Sequence, residues 1–229
     1  MRHRGWYGYI YPKALDVISL PKLFTPDLAP RAAFSFDQTG KVFFTGGAAG
    51  GYGLIPKKPY TAPFLLGILN SRVSDFYHHR VAAVFRGGWF SYEARFIRNI
   101  PIPYCSQQQR SAIEGLVGWL LFLHQQPSVR AASSQHPRDP QLAVWFERWV
   151  NALVYGLFFP EELSLRGLEF YALTEDFAPP LANSNVDAGE TLQMARTIVE
   201  RLSEAGHSLR RALDKLQTLD LVRTVEGGA

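Results

Sequence analysis

The sequence predicts an α+β protein, with a small mixed or antiparallel β region around a central helix in its first half and a helical second half. Three observations carry this expectation. At 229 residues, with 47% hydrophobic and 14% aromatic residues, the chain can bury a substantial core. Before residue 61, short runs rich in aromatic and branched side chains are cut by Gly, Pro and Asp, the punctuation of strands and turns. From residue 107 onward, apolar residues recur at three- and four-residue steps, the signature of helices with one buried face. The expected division is 1–106 and 107–229, with a linker at about 125–140 and a long heptad helix at about 188–222.

Trp6 to Tyr11 alternates aromatic with small or aliphatic residues, as a half-buried strand does, and Pro12 ends it. Ser19 to Pro26 is a short extended piece pinned by prolines, suited to a sheet edge. Ala33–Phe36 and Val42–Thr45 flank the turn cluster Asp37-Gln38-Thr39-Gly40 and read as a β-hairpin. Gly46 to Gly53 is the glycine-richest stretch. It lacks the Lys-Ser/Thr ending of a phosphate loop and the spacing of a dinucleotide fingerprint, so it reads as a flexible surface loop ending in Lys57 and Lys58.

Thr61 can cap a helix that carries Pro63 in its first turn, where a missing N–H does no harm. Leu65, Leu66, Leu69, Val73, Phe76 and Tyr77 share one face, and Asn70, Arg72, Asp75, His78 and His79 fall elsewhere, so one continuous amphipathic helix is expected. Arg86-Gly87-Gly88-Trp89-Phe90-Ser91-Tyr92 follows. Two glycines there open conformations closed to other residues and allow close approach to a partner. Arg95 and Arg98 come next, then an exit locked by Pro101 and Pro103.

Gln107 to His124 and Leu142 to Leu157 read as helices, the second with Trp145, Phe146, Trp149 and Val150 on a broad apolar face. Between them, Gln125 to Pro140 holds three prolines and three serines and little to bury. Pro160-Glu161-Glu162 starts a short helix whose acids complement the helix dipole. Ala178 to Gly189 breaks the pattern with Pro179-Pro180. Beyond it Leu192, Ala195, Val199, Leu202, Gly206, Leu209, Leu213 and Leu216 keep alternating steps of three and four. This seam packs either inside the chain or as a docking face for a second chain or domain.

The net charge of +4 conceals an asymmetry: residues 1–110 hold 14 Lys+Arg against 5 Asp+Glu, so the first half is strongly basic and the remainder acidic. A basic half suits a polyanion, although an acidic half facing another subunit produces the same segregation. No apolar run reaches the ~18 residues of a membrane span, and the start lacks a signal-peptide core, so a cytoplasmic protein without a membrane partner is expected. The single cysteine, Cys105, excludes an internal disulfide and a multi-cysteine metal site. Adjacent His78 and His79 diverge by about 100° on a helix and do not grip one ion easily. His-Glu-x-x-His, Gly-x-Ser-x-Gly and Walker-lysine motifs are absent, and acids are scarce in the basic half. The chain therefore reads as a binder with no catalysis of its own, no catalytic residues and no metal site. Cations interleaved with flat aromatics around residues 86–98 suit phosphates and bases; alternatively, Trp89, Phe90 and Tyr92 are core residues of a hairpin edged by solvated arginines.

Pro21-Lys22-Leu23-Phe24, Phe34-Ser35-Phe36-Asp37, Phe64 to Ser71, Phe76-Tyr77, Arg86 to Tyr92 and Ile100-Pro101-Ile102-Pro103 follow one another in an order that resembles the TaqI-like C-terminal specificity domain. Such domains are the target-recognition part of adenine-specific type II DNA methyltransferases and fused restriction-modification enzymes. The likeness covers roughly residues 6–104, and the later helices resemble the helical tail that often follows this domain. In that family a methyltransferase domain precedes, with an S-adenosylmethionine site and an Asn/Asp-Pro-Pro-Tyr/Phe motif. Here the one Pro-Pro, at 179–180, is followed by Leu181.

The resemblance thus implies double-stranded DNA as partner and recognition without methyl transfer by this chain. S-adenosylmethionine belongs to a separate catalytic methyltransferase or nuclease domain or subunit, held through the C-terminal helices. Residue type and resemblance together nominate Lys57, Lys58, Arg72 and Arg80 for phosphates, and Arg86, Trp89, Tyr92, Arg95 and Arg98 for the groove or its margin. The competing expectation is a protein-interaction or assembly subunit docking through the C-terminal helices.

Overall fold

Short strands in the first half form two antiparallel sheets joined through one residue. A computed structural model describes residues 14–46, 50–131, 135–177 and 187–227. The strand expected at Trp6–Tyr11 and the Pro179-Pro180 break lie outside them. Lys22–Pro26 (β1), Leu28–Ala29 (β2), Ser35–Asp37 (β3) and Gly51–Leu54 (β4) come before the first helices, and Val84–Phe85 (β5) and Trp89–Ser91 (β6) after them. The strand orders are β3-β1-β4 and β2-β6-β5. Asp27 alone separates β1 from β2, so the two sheets share a continuous strand segment.

The hairpin expected between Ala33–Phe36 and Val42–Thr45 does not form. β3 pairs with β1 instead, Leu23 opposite Phe36 and Phe24 opposite Ser35, and residues 41–45 carry no strand. Asp37 explains the change. Its carboxylate accepts from the backbone N–H of Thr39, Lys41 and Val42, taking the donors a returning strand would use. The same carboxylate sits 2.8 Å from Lys22 Nζ, with both side chains 2% exposed. The end of the glycine stretch is a strand and not a loop, because Gly51 to Gly53 belong to β4. A Cβ on Gly51 would come within 2.4 Å of the Thr25 carbonyl oxygen, so the β1–β4 pairing needs glycine there.

The single helix expected after Thr61 is two helices, Ala62–Leu69 (α1) and Arg72–Val81 (α2). Thr61 caps the first through Phe64 N–H, as expected. Asn70 and Ser71 then interrupt the turn. Asn70 accepts from Phe34 N–H and donates to Phe34 C=O, both at 2.9 Å, and Ser71 caps α2 by accepting from Ser74 N–H. A short helix, Ala94–Ile97 (α3), follows β6.

Gln107–Leu123 (α4) opens with a capping box between Ser106 and Gln109. It packs along Pro140–Phe158 (α6), where Trp119, Phe146 and Trp149 are wholly buried. The segment between them is not the bare linker expected. It forms a short helix, Pro127–Arg130 (α5), buries Val129, and places Asp139, 3% exposed, in a two-pronged contact with Arg196 at 2.8 and 2.9 Å. Pro160–Leu165 (α7) and Phe170–Asp176 (α8) complete this layer.

The long heptad helix is likewise three helices, Ala188–Leu202 (α9), Ser208–Leu216 (α10) and Asp220–Gly227 (α11). Ser203 turns its N–H and Oγ back onto Val199 C=O, and Gly206 follows, so the α-helical ladder stops there. Ala195, Val199, Leu202, Leu209, Leu213 and Leu216 are buried within the chain. α9 lies on α6, α10 on α6 and α8, and α11 on α2. α1 packs on α4 and α6, so the described residues of both halves share one hydrophobic core. No helix among the described residues is long and apolar enough to cross a membrane.

Candidate nucleic-acid interface

α2 delivers the chain to a hairpin that projects from the body. β5 is the edge strand of its sheet, and Phe85 faces Trp89 across a three-residue turn, Arg86-Gly87-Gly88. Gly87 and Gly88 have φ of 86° and 76°, left-handed values that a side chain resists, which is why two glycines close this turn. β2 pairs only with Phe90 and Ser91, so the distal part extends beyond the third strand. Val84 is 66% exposed, and Phe85 and Trp89 are each 45% exposed.

The base of the hairpin is held firmly. Tyr92 is fully buried, its ring 4.1 Å from that of His78 and edge-on to Phe34, and its hydroxyl donates to Asp75 Oδ1 at 3.1 Å. Burial, followed by the Asp75 charge, pushes that hydroxyl far above its ordinary range. Tyr92 N–H donates to the Asp27 carbonyl at 2.7 Å. Phe90 stacks on His79 with centroids 3.7 Å apart, and His79 Nε2 lies 3.2 Å from Asp75 without the alignment of a hydrogen bond.

His78 Nε2 is 3.0 Å from Ser91 C=O, which only accepts, so the proton sits on Nε2; buried Nδ1 has no partner. Desolvation lowers the His78 pKa, so the ring is neutral. Asp27 is also buried. Desolvation and nearby Glu93 raise its carboxyl above the usual range.

The nominated residues fall into four places. Arg86 and Trp89 lie in the hairpin, Arg80 precedes it at the end of α2, Arg95 and Arg98 follow it in and just after α3, and all five are exposed. Arg80 lies 3.3 Å over the Phe76 ring, Arg95 pairs with Glu93 at 3.0 Å, and Arg98 Nε donates to Ala94 C=O. Tyr92 belongs inside the fold and presents nothing to a ligand, which corrects its nomination. Its side chain is wholly buried and its N–H is taken by the Asp27 carbonyl. Lys57 and Lys58 are exposed but follow the end of β4 that lies beside Leu23, whereas the hairpin's sheet begins past Pro26 at the other end of β1. Arg72 opens α2, two turns before Arg80.

Arg72 borders a different feature, a groove of about 520 Å³ between the 31–36 segment, α1, α4 and α6. Its polar groups are largely engaged already. Asn70 holds Phe34, Asn151 accepts from Arg72 N–H, and Glu147 faces His124 at 3.4 Å.

Sequence reasoning passed over Val84 and Phe85, which stand beside Arg86 on the free edge. The available signal was an apolar pair directly before a glycine turn at a sheet edge. Asp75, which ties Ala32 N–H and Tyr92 together, gave no signal, because its partners are 43 and 17 residues away. Among the described residues no three His, Cys, Asp or Glu side chains gather to hold a metal ion, and Cys105 is buried. No family model, curated protein or solved structure matches the chain.

Proposed function

We propose that this chain recognises double-stranded DNA in a sequence-specific manner, as the target-recognition part of a restriction-modification enzyme or adenine DNA methyltransferase. The observation that carries the reading is the exposed β5–β6 hairpin, with Arg86 in its turn, exposed Arg80 just before it, exposed Arg95 and Arg98 just after it, and aromatic rings left in solvent. A two-stranded ribbon fits the major groove of DNA, and arginine takes guanine with two parallel hydrogen bonds, worth about 1–3 kcal/mol against the wrong base. Arg80 and Arg98 are suited to phosphates at the groove margin, where a cation sets register without reading sequence.

The chemistry falls outside this chain in the proposed reading. The resemblance to specificity domains assigns S-adenosylmethionine and methyl transfer, or strand cleavage, to a catalytic domain or subunit. Polar side chains around the hairpin bond to one another, Asp75 with Tyr92 and Glu93 with Arg95. They position a reader and do not converge on a reacting atom.

Titration of duplex DNA at several salt concentrations tests the reading. Affinity falls steeply as salt rises, because phosphate contacts release counterions. Arg98→Ala weakens all sequences alike and flattens the salt slope, whereas Arg86→Ala relaxes preference at one position. Unchanged affinity and unchanged preference in Arg86→Ala and Arg95→Ala would remove the hairpin from the interface.

A further inference from the structure

We infer that the distal hairpin is an apolar wedge, with the Phe85 and Trp89 rings pressing against an opened base step, so that bound duplex is kinked and locally unstacked. This rests on the DNA-recognition reading above and goes beyond it in saying what the hairpin does to its ligand.

The side chains at the hairpin tip do not match an intact duplex. Either groove of B-form DNA presents base edges, which offer donors and acceptors, and thymine methyl groups; ring faces are hidden in the stack. A hairpin that only read edges and phosphates would be polar at its tip. Here Phe85, on the edge strand, and Trp89, on the strand beside it, are exposed cross-strand partners at the tip, and exposed Val84 lies on the other face of the ribbon, opposite Phe90. Cross-strand neighbours sit with Cβ atoms about 4.5–5.5 Å apart on one face of a ribbon, so the two rings rise from the same face of the tip, the Trp89 ring beside Gly87. Aromatic platforms find a matching face on nucleic acid only where a base has left its stack, and apolar wedges driven between base steps kink the duplex.

Charge and anchoring complete the case. Arg86 adjoins the two rings without an ion-pair partner among the described residues, and exposed Arg80 and Arg98 stand just before and just after the hairpin. Cations placed so offset the phosphate repulsion that a kink concentrates. A wedge must also resist the stack it opens. Phe90 locked on His79, and Tyr92 locked between His78 and Asp75, provide that resistance one and three residues from Trp89.

The test uses the full chain and duplexes recovered from a randomised pool, each end-labelled for energy transfer and carrying 2-aminopurine at successive positions. Wild-type protein is expected to raise transfer efficiency and to brighten 2-aminopurine at one step. The Phe85→Ser, Trp89→Ser double variant, folded by circular dichroism, is expected to lose about tenfold or more in affinity for intact duplex. It also loses the bend, and it recovers most of its affinity on a duplex with a one-nucleotide bulge at that step. Tight binding by wild type with unchanged transfer and unchanged 2-aminopurine would overturn the wedge while leaving DNA recognition standing. So would an equal loss by the variant on intact and bulged duplex. Failure to bind any duplex would overturn both.

Discussion

At Trp149 the indole is fully buried, donates to Thr174 at 2.8 Å and leans on Phe146; at Trp89 an identical ring stands 45% exposed beside a glycine turn, with solvent on one side. The helical half spends its aromatics on its own core, while the hairpin keeps two of its aromatics outside it. A large apolar side chain left in water at the end of a projecting ribbon gains nothing for the fold, since its transfer from water is incomplete. Burial therefore separates aromatics that make the protein from those free to touch something else. Tyr92, three residues from Trp89, falls on the buried side of that line.

The largest expected effect comes from emptying the buried side. Trp149→Ala removes a ring from between Phe146 and Phe177 and should cost about 3–5 kcal/mol in denaturant unfolding. Duplex affinity of the folded fraction should stay as it was. Arg196→Ala comes next. It leaves Asp139 buried without its two-pronged partner and should cost about 1.5–3 kcal/mol. A loss near zero would mean that the 125–140 segment is not tied down as described.

Gly88→Ala bears on the hairpin itself. Nothing lies within 4 Å of the added methyl, so the whole penalty is the left-handed backbone, about 1–2 kcal/mol. That loss should appear as faster amide exchange in β5 and β6 before it appears in global unfolding.

His78 adds a pH dependence at the hairpin's root. Its folded pKa is lowered by desolvation, so below the unfolded value of about 6.5 the unfolded chain binds the extra proton more readily. Stability is therefore full above that pH, falls as pH drops through it, and levels off below the depressed folded value. Comparing unfolding midpoints at pH 7.5 and 5 for wild type and His78→Gln should show a smaller drop in the variant. The smallest stability change belongs to Trp89→Ser, within about ±0.5 kcal/mol, together with a clear loss of duplex affinity. A Trp89→Ser protein that unfolds would erase the contrast between the two rings.

Much of this was legible from local pattern. The Thr61 cap, the helices at 107–124 and 142–157, and the α+β class follow from short-range rules that the structure obeys. Two of the failures share one cause, which is side chains bonding across distance, whereas the expected heptad helix ends at a local contact of Ser203 with Val199. Asn70 ends α1 because Phe34, 36 residues away, offers both backbone groups, and Asp37 dissolves an expected hairpin by holding Lys22 and three amides. Periodicity continues straight through both places. Arg80, Arg86, Arg95, Arg98 and the two glycines of the turn are visible in the sequence, and all four arginines are exposed in the structure. Chain order could not separate Tyr92 from Trp89, because burial there depends on His78, Phe34 and Asp75 meeting in space.

The most direct measurement is selection of duplexes from a randomised pool by the purified chain at two salt concentrations, repeated with Arg86→Ala. The account predicts an enriched motif that persists at the higher salt and loses definition at one position in the variant. Binding that vanishes at higher salt with no enriched sequence at either concentration would contradict it.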